Sequence, residues 1–492
     1  MYYPSEQEFL KLSKKGNIVP VYSELLADFD TPLSAFLKIK DGEHSFLLES
    51  VEGGEHMGRY SFLGTKPSVI IESRGKEIVK RTEKKTEKFP VKKDPVEELK
   101  NIMAAYKVVP LPSLPRFFGG LVGYIGYDMV RFFEKIPDKN PEEYSMPDMQ
   151  FFMADTLLVF DHVDHKIKVV SNAFIDGDPL YAYQTACSKI DVLIDKLKRP
   201  AAVPEMKHVS PVVPEMSSNF TEEEFKKIVE AGKEHIKAGD VIQVVLSQRF
   251  KRKTKADGFS IYRALRSINP SPYMYYMELG GGAKIIGSSP EILVRCEDDI
   301  AEVRPIAGTR RRGKDIAEDV ALEKELLADP KERAEHIMLV DLGRNDIGRV
   351  CEYGSVQVDE LMCVERYSHV MHIVSDVIGT LREDRDIYDL IRATFPAGTV
   401  TGAPKVKAME LIDKFESVKR GPYAGCLGYI GYTGNMDMCI TIRTVVMKDD
   451  TVYFQAGAGI VLDSDPALEY KETINKSRAM LRALEFAERG LQ

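Results

Sequence analysis

The 492-residue chain lacks several features that would assign it quickly to a class. Its six cysteines, Cys187, Cys296, Cys351, Cys363, Cys426 and Cys439, are scattered and include no Cys-x-x-Cys pair. That spacing excludes a zinc site built on paired thiolates and gives no sign of a disulfide framework; the expected state is reduced and mostly buried. No run approaches the ~18 apolar residues of a membrane-spanning helix. The opening Met1-Tyr-Tyr-Pro-Ser-Glu6 has no charged segment followed by an apolar one, so no signal peptide is read and a cytoplasmic location is expected. Neither sign of charge dominates: 68 Lys and Arg stand against 76 Asp and Glu, a net charge of −8. This balance argues against nucleic acid or an anionic membrane as the main partner. An anionic small substrate stays open, because the local field of a cleft can oppose the global charge.

What is present fits a soluble protein with a large core: 44% hydrophobic and 29% charged residues. The length predicts roughly two to four domains. Residues 196–218 contain Pro200, Pro204, Pro211 and Pro214 with little periodicity, and read as an extended linker. Thr221-Glu-Glu-Glu224 then forms a capping box for a helix through about Ala238, which Gly239-Asp240 stops. The expected division is an N-terminal domain over 1–195, the linker, and a second domain over 219–492.

In the first part, His44–Ser50 and Ser68–Ser73 read as strands, and the mixed-charge stretch Lys76–Lys93 as a solvated hairpin or loop. Gly120-Leu-Val-Gly-Tyr-Ile-Gly-Tyr127 is echoed by Gly425-Cys-Leu-Gly-Tyr-Ile-Gly-Tyr432. Glycine at every third position suits strands that lie close to other backbone, so the two segments are expected in similar core environments. The second part alternates strands (241–250, 274–279, 284–287, 440–447, 452–458) with helices (316–328, 331–343, 386–394, 404–415, 466–488). Consecutive strands joined by short turns predict an α+β fold with largely antiparallel sheets packed in layers.

Two acidic pairs carry the first chemical signal. Glu332 and Glu335, like Glu469 and Glu472, are three residues apart in helical sequence and so share a helix face. Two such faces can converge on a hard cation that prefers oxygen ligands, such as Mg2+; equally, each can be a solvated helix face. Around Gly308, a glycine-punctuated turn offers N–H groups and the Thr309 hydroxyl to a carboxylate. The loop from Phe395 to Lys405 opens a helix, and Thr401 is expected to cap it. It lacks the spacing of a nucleotide-binding loop. Gly457-Ala458-Gly459 lets backbone approach a ligand. His372 can shuttle protons near neutrality, or simply sit satisfied in an apolar strand.

These segments occur in one order: Ser289-Pro-Glu291, Pro305-Ile-Ala-Gly-Thr309, Glu335-His-x-Met-Leu-Val-Asp-Leu-x-Arg-Asn-Asp346, Pro396-Ala-Gly-Thr-x-x-Gly-Ala-Pro-Lys405, Gly457-Ala-Gly-Ile-Val461 and Glu472-Thr-x-x-Lys476. The set resembles the chorismate-utilising enzyme family. Leu47-Leu-Glu-Ser50 and Gly58-Arg-Tyr-Ser61 extend the resemblance to the first domain, so it covers almost the whole chain and implies that this domain packs against the catalytic one.

The resemblance implies a Mg2+ bound by Glu335 and Glu472, with Glu332 and Glu469 reaching it through water. It implies carboxylate binding by Arg443, Tyr423, Gly457, Ala458, Gly459 and Lys476. Further polar contacts are implied from Gly308, Thr309 and Thr399, and proton transfer by His372. Members that activate water carry a lysine where this chain has Gln243, and members with a nucleophilic lysine carry it where this chain has Ala307. Neither side chain here can attack the ring or deprotonate water. The pattern therefore resembles the ammonia-using branch, which converts chorismate to anthranilate and pyruvate at the start of tryptophan biosynthesis. Branches that stop at an amino-dihydroaromatic product, and a non-catalytic tryptophan sensor, stay open.

Glu49, Ser50, Pro272, Tyr273, Met274, Gly428 and Cys439 resemble that branch's feedback site for L-tryptophan. Cys426 lacks the neighbours of an amidotransferase nucleophile. Ammonia is thus implied to come from a separate glutamine amidotransferase subunit in a hetero-oligomer.

Overall fold

The computed structural model describes residues 1–50, 58–202, 216–367 and 370–491. Most of the expected linker lies outside the described residues. Two twelve-stranded sheets face each other, and every ladder in them is antiparallel. The chain is α+β, as its strand and helix alternation predicts.

Both sheets draw strands from either side of residues 196–218. In the first sheet, His44–Glu49 from the N-terminal part pairs with Tyr273–Gly280 from the C-terminal part. In the second, Gly120–Ile125 pairs with Cys426–Gly431. The latter two strands are the glycine echo, and the register sets Gly123 opposite Gly428 and Gly120 opposite Gly431. A β-carbon on Gly123 would lie 2.1 Å from the Gln150 carbonyl oxygen, and one on Gly428 would lie 2.0 Å from that of Asp437. The repeat thus marks the seam at which the two sequence halves meet, where backbone approaches backbone.

Side-chain alternation builds three core layers. Val122, Tyr124, Phe152, Tyr275, Met277 and Val446 fill the space between the sheets. Leu121, Ile125, Leu293 and Met438 point out of the second sheet toward helices that include Pro330–Gly348 and Lys405–Phe415. Leu47, Met274, Ile286 and Phe454 point out of the first sheet toward Pro179–Leu197, Gly258–Ile268 and Pro466–Glu488. Each fully buried side chain of this kind contributes about 1.5–3 kcal/mol.

Two expectations are corrected. The apolar run 440–447 is not one strand. It is split into Met436–Ile440 in the second sheet and Thr444–Lys448 in the first. The chain crosses between sheets over Thr441–Arg443, and Arg443 takes the left-handed backbone conformation (φ 51°) to make the turn. Thr401 does not cap the helix Lys405–Phe415, whose N-cap is Pro404. Gly402–Ala403 pairs with the strand Gln243–Lys253, which separates Thr401 from the helix, and its hydroxyl donates to the Ala397 carbonyl at 2.8 Å. Lys76–Lys93 does form a hairpin, Glu77–Thr82 with Thr86–Pro90.

The glycine seam yields a stability prediction. Gly123→Ala should destabilise the protein by about 2–3 kcal/mol through overpacking against backbone. Gly348→Ala, where an added β-carbon meets nothing within 4 Å, should be neutral or slightly stabilising. Denaturant midpoints of the two variants check this.

Candidate active site

A cavity of about 620 Å³ opens between the edges of the two sheets and two helices. The first helix, Pro330–Gly348, starts where Asp329 accepts hydrogen bonds from the Lys331 and Glu332 amides (2.9 and 3.3 Å) and Pro330 fills the first turn. The second, Pro466–Glu488, starts the same way, with Asp465 bonded to the Ala467 and Leu468 amides at 2.9 and 3.0 Å. Buried Leu339 and Val340 on one helix, and Thr473, Ser477 and Met480 on the other, fix the rotation of each. Glu332, Glu335, Glu469 and Glu472 consequently all line the cavity.

Each of the four carboxylates has a defined environment. Glu335 accepts from the Gln243 amide at 3.0 Å. Glu332 pairs with Arg310 at 3.1 Å, and Glu472 with Lys476 at 2.7 Å. Burial holds Glu469 above its ordinary range; Ser464 opposes that shift and the charge of Glu472 adds to it. Among the described residues no three His, Cys, Asp or Glu side chains close around one point as a finished metal site. The donor set nevertheless fits a hard divalent cation: all carboxylate oxygen, on two helices, with mutual repulsion that a cation relieves.

The opposite wall presents His372. The strand Ile306–Arg311 pairs with Val370–Thr380, and its register shifts between Ala307 and Thr309. Gly308 at the shift has φ 68°, a conformation glycine adopts without cost. The shift sets the Gly308 carbonyl 2.9 Å, and the Thr309 hydroxyl 3.1 Å, from His372 Nδ1. A carbonyl can only accept, so Nδ1 carries the ring proton and Nε2 keeps its lone pair. Burial lowers the His372 pKa, Gly308 opposes this, and Arg443 adds to the lowering. The ring is therefore neutral at pH 7.

Arg443, delivered by the crossing between sheets, lines the cavity with Tyr423. No carboxylate pairs with its guanidinium among the described residues, and burial lowers its pKa. A half-buried cation without a counter-charge is stabilised by an anion that enters the cavity. The Thr399 hydroxyl oxygen is buried with no partner at full hydrogen-bond geometry among the described residues, yet it lies near enough to the Glu291 carboxyl to oppose the rise of its pKa. Gly457 and Gly459 also line the cavity, and Lys476 donates to the Gly457 carbonyl at 3.0 Å. Ala458 is the exception among the expected contacts. Strand alternation turns its methyl into the core behind Gly457 and Gly459, where it is fully buried.

Sequence reasoning missed two features. Glu291 lines the cavity as a buried carboxyl whose pKa is pushed up to about 7, chiefly by burial. Its Ser-Pro-Glu motif was visible; its burial was not. The second feature is the floor. Arg420 is 1% exposed and donates to Glu416 (2.9 Å), to the Val400 carbonyl (2.7 Å) and to the Val245 carbonyl (2.9 Å). Glu416 accepts from the Ser247 amide and hydroxyl at 2.9 and 2.7 Å. Gln455 donates to that hydroxyl (2.7 Å), and Arg249 links Gln455 (3.2 Å) back to the Arg420 carbonyl (3.0 Å). The Arg420 guanidinium lies over the rings of Tyr127 and Tyr423, 4.8 and 5.5 Å from their centroids.

A separate cavity of about 560 Å³ sits between the sheets at the seam. Glu49, Ser50, Pro272, Tyr273, Met274, Gly428 and Cys439 all line it. Phe117 and Tyr429 stack at 4.2 Å to form an aromatic wall, and Tyr273 donates to Asp437 at 2.8 Å. Glu49 is buried against Arg266 at 3.1 Å. Cys426 is buried in the helix-side core, where burial pushes its thiol pKa up.

Comparison with known proteins agrees with this geometry. The family model for chorismate binding enzymes matches residues 43–482. Anthranilate synthase component 1 of Aquifex aeolicus is 51% identical over 98% of this chain and 98% of its own length. The protein of that name from Acetivibrio thermocellus is 48% identical over 99% of each. A crystal structure of anthranilate synthase component I from Streptococcus pneumoniae superposes with a TM-score of 0.77 at 38% identity, covering 93% of this chain and 98% of that one. The chain therefore belongs to the chorismate-binding enzyme family, within its anthranilate synthase component 1 group.

Proposed function

We propose that the chain converts chorismate and ammonia to anthranilate and pyruvate. The observation that carries this reading is the convergence in one cavity of a half-buried guanidinium with no carboxylate partner among the described residues, four carboxylates from two helices, and a histidine with a free Nε2 lone pair. Chorismate is a dianion, and one of its carboxylates supplies what Arg443 lacks, while Lys476, held between Glu472 and the Gly457 carbonyl, adds a second positive charge. The Tyr423 and Thr399 hydroxyls and the Gly457 and Gly459 backbone orient them. Glu335 and Glu472 hold Mg2+ in this reading, with Glu332 and Glu469 behind them through water. When bound, the ion neutralises the ring carboxylate and acts as a Lewis acid.

The chain's own residues move the protons. Ammonia attacks C2 of the ring as the C4–O bond breaks, and Glu291, protonated near neutrality, gives the leaving hydroxyl its proton so that water departs. The ammonium so formed at C2 returns a proton to the Glu291 carboxylate. His372 Nε2 then takes the C2 proton while the C3–O bond breaks, and passes that proton to the methylene carbon of the leaving enolpyruvate, which becomes pyruvate. The ring is left aromatic. Gln243 and Ala307 leave the nucleophile's place to ammonia, which a glutamine amidotransferase subunit supplies in a cytoplasmic hetero-oligomer.

Residues 219–492 form the catalytic domain in this proposal, and residues 1–195 contribute the regulatory one. The cavity at the seam takes L-tryptophan, with the indole against Phe117 and Tyr429 and the amino-acid head toward Glu49 and Ser50.

Each cavity yields its own tests. With chorismate, Mg2+ and ammonium, anthranilate fluorescence should appear; a stable amino-dihydroaromatic product, or no turnover, would refute the assignment. At constant free ammonia, kcat/KM should fall as pH rises through about 7, where Glu291 loses its proton. It should also fall on the acid side only below the ordinary histidine range, where His372 gains one. Glu291→Gln should slow turnover about 10²–10⁴-fold and abolish the alkaline limb, and His372→Ala should lose a similar factor without weakening chorismate binding. For the second cavity, the chain contains no tryptophan, so indole emission reports the ligand without background. Saturable quenching or shift of added L-tryptophan is expected, weakened about tenfold in Tyr429→Ala; unchanged affinity in that variant would remove the ligand from this cavity.

A further inference from the structure

The four cavity carboxylates are not held alike. Glu332 and Glu472 each pair with a cation, Arg310 at 3.1 Å and Lys476 at 2.7 Å. Glu335 instead accepts from the neutral Gln243 amide at 3.0 Å and forms no ion pair among the described residues. A paired cation competes with a metal ion for its carboxylate, whereas a neutral donor leaves the full charge available.

The donor is fixed in place. Gln243 is 3% exposed and opens the strand Gln243–Lys253. Its backbone is paired with Gly402–Ala403, in register with Ala403, and the next residue, Val244, lies opposite Ile460 of the strand Thr451–Ile460. A carboxylate only accepts, so the nitrogen of the Gln243 amide is the atom that faces Glu335.

Gly459 lies against that nitrogen. A β-carbon at 459 would stand 2.7 Å from Gln243 Nε2, well inside contact distance. Its other two nearest neighbours would be Cδ and Cγ of the same side chain, at 3.5 and 3.9 Å. An alanine here would therefore push first on the Gln243 amide, the free end of a flexible side chain. Gln243, Glu335 and Gly459 all line the same cavity.

We propose that Gln243 is a positioning residue of the cation site and that Gly459 makes room for it. The amide ties one oxygen of Glu335 to the sheet and leaves the other for a divalent cation. The inference rests on the reading of the four carboxylates as a divalent-cation site. It gives Gly459 a task besides close approach to a ligand: its missing side chain seats the amide that orients Glu335. Removing an outer hydrogen bond of this kind typically costs about 10–100-fold in metal affinity.

Titration of the full chain with Mn2+ alone, without chorismate, tests this. Mn2+ takes the same oxygen ligands as Mg2+, and its free ion is counted by electron paramagnetic resonance. The parent should bind Mn2+ saturably, and Mg2+ should displace it. Gln243→Met, which keeps the side-chain length and removes the donor, should weaken Mn2+ about 10–100-fold. Gly459→Ala should weaken it by a similar factor with Gln243 still present. The double variant should lose no more than about twofold beyond Gln243→Met, because both changes act on one hydrogen bond. Gly459→Ala displaces only the end of a side chain, so it keeps the test open should Gln243→Met misfold. Parental Mn2+ affinity in either folded single variant, or fully additive losses in the double variant, would overturn the proposal while leaving the cation site standing. Absence of saturable Mn2+ binding in the parent would overturn the cation site itself, and the proposal with it.

Discussion

The candidate active-site cavity depends on one buried ion pair, Arg420 with Glu416. Around it runs a closed hydrogen-bonded ring through Ser247, Gln455 and Arg249 and back to the Arg420 carbonyl. The ring brings in Gln455 from the strand Thr451–Ile460 and joins to it three further pieces of chain that are distant in sequence. These are the strand carrying Gln243 and Val245, the turn carrying Thr399 and Val400, and the loop that ends at Tyr423. A buried pair of this kind gains little net stability over an apolar replacement, but it tolerates only one arrangement of its partners. That constraint is what a site built from backbone amides, a lone hydroxyl and opposing helices requires.

The second constraint is the seam between the sequence halves. The strand Met436–Ile440 borders the cavity at the seam through Cys439, and three residues past its end the same chain segment delivers Arg443 to the candidate active-site cavity. Any ligand that shifts this strand acts on the guanidinium across a short, covalently continuous path. The left-handed backbone at Arg443 leaves little slack in that path.

Much of this was readable from the residues. The three-residue spacing of Glu332 with Glu335, and of Glu469 with Glu472, needs only helical periodicity, and both helices begin at an Asp-Pro pair. The glycine echo foretold close backbone approach, though not that its two copies would be partners, since pairing across 300 residues is a tertiary fact. The inward turn of the Ala458 side chain was not legible because a Gly-x-Gly segment looks uniformly open, whereas strand alternation turns every second side chain away. Thr401 was misread because a two-residue strand intervenes before its helix. The run 440–447 looked like one strand because nothing apolar in it marks the crossing. Gln243 read as an absent lysine; in the folded chain it holds the Glu335 carboxylate. Arg420 carried no local signal at all, because its meaning lies wholly in what surrounds it.

The most direct test of this account is the denaturant stability of Arg420→Met beside Arg420→Met/Glu416→Leu. Removing the guanidinium alone leaves a buried, uncompensated carboxylate and should cost about 3–5 kcal/mol, whereas removing both charges should restore a substantial part of that loss. A single variant within ~1 kcal/mol of the parent, or a double variant no better than the single, would contradict the claim that the Arg420–Glu416 pair holds the floor of the site together.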